Sequence, residues 1–183
     1  MTKSLSISKR SLRTVGAVLC LMVTILWLCF IYGNSLKTGT ESGEQSGTVY
    51  EIVSNVTNAM GLGTPISHHL IRKAAHFAEF ALLGILVCLD LWSLGAVSLR
   101  RKLYVSAPIL LCSIPIIAVF ASVDELLQNF SEGRGPSPKD VLIDVSGAAC
   151  AAMLFTVLFV IGYFVYQRSV ARNKLCQLSS NDI

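Results

Sequence analysis

The nineteen residues from Thr14 to Tyr32 contain no charged side chain. A run of that length, made helical, crosses the hydrocarbon of a bilayer, which takes about 20 residues. Three further runs approach the same specification. One covers about Ala74 to Leu94, interrupted by Glu79 and Asp90. Another covers about Leu103 to Val123 and contains Pro108 and Pro115, which membrane helices tolerate when neighbours satisfy the freed carbonyls. The last runs from about Val141 to Tyr166, with Asp144 as its single charge. The expected fold class is all-α: a polytopic membrane protein with four transmembrane helices and an additional short amphipathic helix in the first outer loop. Composition agrees, because 14% of residues are charged against about 25% in soluble domains. The first run has a basic start like a signal peptide, but it is too long and lacks an A-x-A-like cleavage site, so it reads as a retained span.

Orientation follows from lysine and arginine. Ten basic residues fall on one side: Lys3, Lys9, Arg10, Arg13, Arg100, Arg101, Lys102, Arg168, Arg172 and Lys174. Five fall on the other: Lys37, Arg72, Lys73, Arg134 and Lys139. The positive-inside rule then places both termini in the cytoplasm. The expected organisation is a cytoplasmic segment over 1–13, a membrane domain over 14–166 and a cytoplasmic tail over 167–183. Topology accounts for the basic residues, so nucleic-acid binding has no support. Five of the six cysteines lie in apolar runs and none has C-x-x-C spacing; they read as small apolar residues.

The first outer loop has two parts. "GNSLKTGTESGEQSG" is rich in Gly, Ser and Thr and reads as turns. "TVYEIVSNVTNAMGLG" sets Val49, Ile52, Val53, Val56 and Met60 at helical spacing before Gly61 and Gly63, which predicts a short amphipathic helix on the membrane surface or over the bundle. The second outer loop, "SEGRGPSPKD", reads as a tight turn leading into a helix start.

Five of the chain's eleven carboxylates lie between Ala121 and Gly147, beside or inside apolar runs. Helical spacing orders them. Arg72, His76 and Glu79 share one face of the second span, Asp124 and Gln128 one face of the third, and Asp140, Asp144 and Gly147 one face of the fourth. The first span ends in Tyr32, Asn34, Ser35 and Lys37. A carboxylate within a span costs at least about 2.5 kcal/mol, so Glu79, Asp124 and Asp144 are expected to converge on one another and on Arg72, Lys73, His76 and Arg134. The result would be a polar pocket opening outward. Asp90, near the inner end of its run, is assigned to the membrane interface, and Lys73, Lys139 and Glu125 are read as surface charges.

At these residues the chain resembles the VanZ-like membrane proteins. The resemblance rests on "NSLKTGTESGEQSG", "IRKAAHFAEFALLG" and "DELLQNFSEGRGPSPKDVLIDVSG", and covers roughly residues 14 to 166. Family positions fall on Lys73, His76, Phe77, Asp124, Glu125, Gln128, Gly133, Arg134, Asp140, Asp144 and Gly147; Glu79 and Phe80 stand where a tyrosine often closes the first motif. The resemblance implies the bacterial cytoplasmic membrane and, from the founding member, an association with low-level resistance to the glycopeptide antibiotic teicoplanin. It implies no reaction.

Several functions suit such a pocket. The reading placed first is recognition or protection of an outer-leaflet ligand in the cell envelope, a lipid-linked cell-wall precursor or a glycopeptide. Lys73, His76, Glu79, Asp124, Gln128, Arg134, Asp140 and Asp144 would bind it, with Arg72 contributing. The alternative is a membrane-embedded enzyme on a lipid-borne substrate, with His76, Asp124 and Asp144 catalytic and Glu79 orienting His76. Two carboxylates and a histidine could hold a divalent ion, yet the spacing dictates none, and no cofactor is specified. A transporter working as a homo-oligomer and a structural partner of another membrane complex complete the set. Membrane lipids are partners in every case.

Overall fold

The computed structural model of the protein describes residues 9–61, 67–93, 106–131 and 137–181, and all regular structure there is helical. Five helices follow in order: α1 Lys9–Ser35, α2 Gly39–Ala59, α3 His68–Ser93, α4 Ser106–Gln128 and α5 Pro138–Asn181. Three contain stretches long and apolar enough to cross a membrane: Thr14–Ser35, His68–Ser93 and Pro138–Arg172. α4 is a 23-residue helix with Pro115 inside it. The turn expected at Gly133, Gly135 and Pro136 lies outside the described residues, as do Arg134 and Gly63.

The first and last spans expected from apolar runs are cores of longer helices, and α3 and α4 extend past their runs at His68 and Gln128. α3 starts at His68, a turn and more before Ala74, because Ser67 caps it: the Leu70 amide donates to Ser67 Oγ at 3.2 Å. α5 starts at Pro138, a residue suited to a first turn, and continues for 44 residues through the segment expected as a tail.

The first outer loop departs further from expectation. The Gly- and Ser-rich stretch from Gly39 is the first half of α2, not a series of turns. Thr38 and Glu41 form a capping box. Thr38 Oγ1 accepts from the Glu41 amide at 3.3 Å, and Glu41 Oε2 accepts from the Thr38 amide at 3.0 Å. Two otherwise orphan donors are thereby satisfied at the helix start. The Thr38 amide bond, with a second bond donated by Thr38 Oγ1 to Glu41 Oε2 at 3.1 Å, holds the Glu41 carboxyl below its ordinary range. The helix ends at Met60, followed by Gly61 at φ +71°, a conformation glycine adopts without a Cβ penalty. No residue of α2 is buried, and Val49, Ile52, Val56 and Met60 are all exposed. Tyr50 stacks on His68 of α3 with ring centres 4.3 Å apart.

α3 is the hub, touching each of the other four helices. The core is thin, built from Ile31, Phe80, Leu83, Val87, Ile117, Ala121 and Ala148. Large apolar side chains elsewhere on α1 and α5, such as Leu19, Leu26, Leu154, Leu158 and Val165, face outward. In water that would be a liability; in hydrocarbon it is the ordinary state of a helix surface. The five cysteines at 20, 29, 88, 112 and 150 are free.

Two glycines set the α3–α5 distance. A Cβ on Gly84 would stand 2.7 Å from the Ala148 carbonyl oxygen, and one on Gly147 would collide with the Phe77 carbonyl. Backbone approach of this kind is how small residues associate membrane helices. Overpacking costs about 1–3 kcal/mol, so Gly147→Leu should lower the thermal midpoint of the purified protein by several degrees. Gly162, whose Cβ would meet nothing within 4 Å, is the control: Gly162→Leu should melt with wild type.

Candidate functional site

The close α3–α5 crossing brings His76 alongside Asp144. Asp124, near the end of α4, completes the group. One ligand atom from each of the three residues lies within 4.8 Å of the other two. Asp124 and Asp144 are 0% and 1% exposed, and the side chains of His76 and Glu79 are each 18% exposed. None of these acids faces lipid.

Neighbouring residues hold the group in place. Gln128, one turn beyond Asp124, donates from Nε2 to Asp124 Oδ2 at 3.1 Å. Glu79 Oε2 stands 3.9 Å from His76 Nδ1, and Glu79 Oε1 accepts from Asn34 Nδ2 at 3.1 Å. Asn34 Oδ1 in turn accepts from Lys37 Nζ at 2.8 Å. A polar relay thus runs from the end of α1 to the imidazole on α3. Trp27 Nε1 donates to the Glu79 carbonyl at 3.0 Å, fastening the two helices below it. Tyr32 hydroxyl to Phe120 carbonyl, at 3.4 Å, and Ser131 hydroxyl to Ser35 carbonyl, at 3.0 Å, fasten α1 to α4 and the turn after it.

Of the residues singled out in the sequence, Lys73 pairs with Asp140 at 3.0 Å, both about a third exposed. Arg72 lies against His69, 3.5 Å from its Nδ1, and makes no ion pair among the described residues. Arg134 is outside the described residues, so its placement relative to the group is not part of the geometry.

One residue differs from expectation. Glu125 is not a surface charge: it is 5% exposed, and its Oε1 accepts from the Ser137 amide at the start of α5. No spacing in the sequence marks it, because the contact is made at the start of the next helix. Asp90, three residues from the end of α3, is enclosed rather than open: it is 7% exposed and accepts from Thr24 Oγ1 of α1 at 2.6 Å.

Two cavities meet at His76. The larger, about 500 Å³, lies between α2 and α3 and is walled by Val49, Val53, Leu70, Ile71, Ala74 and Ala75, with Arg72, His76 and Glu79 at one side. That volume is within the usual range for small-molecule sites. The smaller, about 20 Å³, is bounded by Arg72, Lys73, His76, Gln128, Asp140, Ile143 and Asp144. It has room for about one water or ion. Arg72 and His76 line both.

The VanZ/LLP1 family model matches residues 20–161. The chain belongs to that family. No curated protein and no solved structure matches this VanZ-like chain. The matched region holds all five helices in part or whole, and with them every residue of the His76–Asp124–Asp144 group.

Asp144 lies within electrostatic reach of Asp124, Glu125, Asp140 and Glu79, so like charges crowd it. Replacing it by the isosteric amide removes one of them at nearly constant shape. Asp144→Asn should therefore melt at or above the wild-type temperature, the usual sign of a residue kept for work rather than for stability. Glu125→Ala strips the acceptor from the Ser137 amide and should lower the midpoint by several degrees. Thermal unfolding in one detergent compares the pair.

Proposed function

We propose that this VanZ-like protein is a membrane-embedded enzyme that acts on a lipid-borne substrate, with His76, Asp124 and Asp144 as its reacting groups. The observation that carries the reading is that three helices deliver these side chains to one buried point beside an apolar cavity of about 500 Å³. Such a cavity suits the hydrocarbon part of an amphiphile, whose polar part would then rest at His76. Arg72, which lines both cavities, is placed to meet an anionic group there. Glu79 would orient the imidazole, and Gln128 would hold the Asp124 carboxylate in register.

The recognition reading relied on Arg72, Lys73 and Arg134 as a cationic receptor. Lys73 is engaged by Asp140, whereas His76, Asp124 and Asp144 converge on one another. The histidine and two aspartates therefore support catalysis better than capture. A lipid-linked cell-wall precursor remains the natural substrate, since the basic residues favour a cytoplasmic location for both termini and an outward-facing site. In this topology α4 is the third of four spans, after α1 and α3 and before α5, 14–166 is the membrane domain, and 1–13 and 167–183 are its cytoplasmic flanks. The bacterial cytoplasmic membrane is the corresponding location.

The test is turnover by purified protein of a panel of acyl- and isoprenyl-linked esters and phosphates in lipid nanodiscs. His76→Ala and Asp124→Asn should each lower kcat by about 10²–10⁴-fold, the usual range for a lost acid or base. Val53→Trp, which fills the α2–α3 cavity, should raise KM for long-chain substrates and leave short-chain analogues unaffected. Absence of turnover across the panel, or wild-type turnover by His76→Ala, overturns the reading.

A further inference from the structure

We infer that His76, Asp124 and Asp144 form a binding site for one divalent transition-metal ion. The site's catalytic role rests on the enzymatic reading above; its existence does not. Three observations converge on it.

The first is the donor set. One imidazole and two carboxylates, presented by α3, α4 and α5, approach within 4.8 Å of one another. Ligands about 2.1 Å from a tetrahedral ion stand roughly 3.4 Å apart, so small side-chain rotations close the gap. Three protein ligands with a fourth position left open is the pattern of catalytic rather than structural sites.

The second is Asp144 itself. It is 1% exposed, and its Oδ1 is fully buried with no hydrogen-bond partner among the described residues. A buried carboxylate oxygen left without a donor is costly, and a cation at this point would satisfy it. Asp144 also lines the 20 Å³ cavity, which is the size of a single ion or water.

The third is the charge balance. Glu79, Asp124, Glu125 and Asp140 all act on Asp144, and among the described residues only Arg72 and Lys73 line the small cavity as cations. Lys73 is already spent on Asp140. A doubly charged ion offsets the excess. Glu79, 3.9 Å from His76 Nδ1, is near enough to close onto the ring nitrogen as the carboxylate that accompanies a metal-binding histidine.

Mixed nitrogen and carboxylate donors favour Mn²⁺ or Zn²⁺ over Mg²⁺ and Ca²⁺, which prefer oxygen alone. Such an ion lowers the pKa of a water in its open position. The resulting hydroxide oxygen bonds to the phosphorus or carbonyl carbon of the lipid ester as the bond to the leaving oxygen breaks. The proton given up by the water ends on that leaving oxygen.

The experiment is a titration of chelator-treated protein in nanodiscs with Mn²⁺, read as free ion by electron paramagnetic resonance, followed by displacement with Zn²⁺. Wild type should bind one ion per chain. Asp124→Asn and Asp144→Asn should weaken binding by more than tenfold, Glu79→Gln by about tenfold, and the exposed Glu51→Gln not at all. Thermal midpoints confirm that each variant is folded. No saturable binding by wild type, or unchanged binding by a folded Asp144→Asn, overturns the inference. Stoichiometric binding without turnover on any lipid keeps the ion and removes the enzyme. Turnover unaffected by the chelator keeps the enzyme and removes the ion.

Discussion

Everything around the His76–Asp124–Asp144 group depends on how closely α3 and α5 approach. With side chains at positions 84 and 147, the two backbones would have to separate, and Asp144 would withdraw from His76. Hydrocarbon supplies no hydrophobic drive between helices, so backbone contact and polar contact must do what core burial does in water. The glycines provide the first. The relay from Lys37 through Asn34 to Glu79 and the Lys73–Asp140 pair provide the second. The chain thus uses its polar residues at this level both to join helices and to enclose the His76–Asp124–Asp144 group.

The buried acids fall into two groups with different surroundings. Asp90 sits alone on its side of the bundle, answered by Thr24. Glu79, Asp124, Glu125, Asp140 and Asp144 sit together, close enough to repel one another. A fold selected for stability alone would scatter them or pair each with a base. Crowding of this kind is frequent at functional sites, and here it adjoins the two cavities that meet at His76.

Much of this was legible from spacing. Arg72, His76 and Glu79 fall one turn apart, as do Asp124 and Gln128, and Asp140 and Asp144. In a medium that penalises exposed charge, those faces had only one another to turn toward. What spacing could not resolve was anything set by a neighbour's position. Glu125 lies next to Asp124, about 100° around the helix, and is buried only because the start of α5 covers it. The burial of Asp90 likewise depends on Thr24 of α1, 66 residues earlier in the chain. For α2, composition argued for turns, and a two-residue cap outweighed it.

The length of α5 has a mechanical consequence. Its 44 residues, at about 1.5 Å each, make a rod of about 66 Å, roughly twice the thickness of the hydrocarbon layer. Asp144 rides two turns from one tip, and no break separates it from the other. Were the helix to tilt about its midpoint, the distant tip would swing through a wider arc than the aspartate and in the opposite sense.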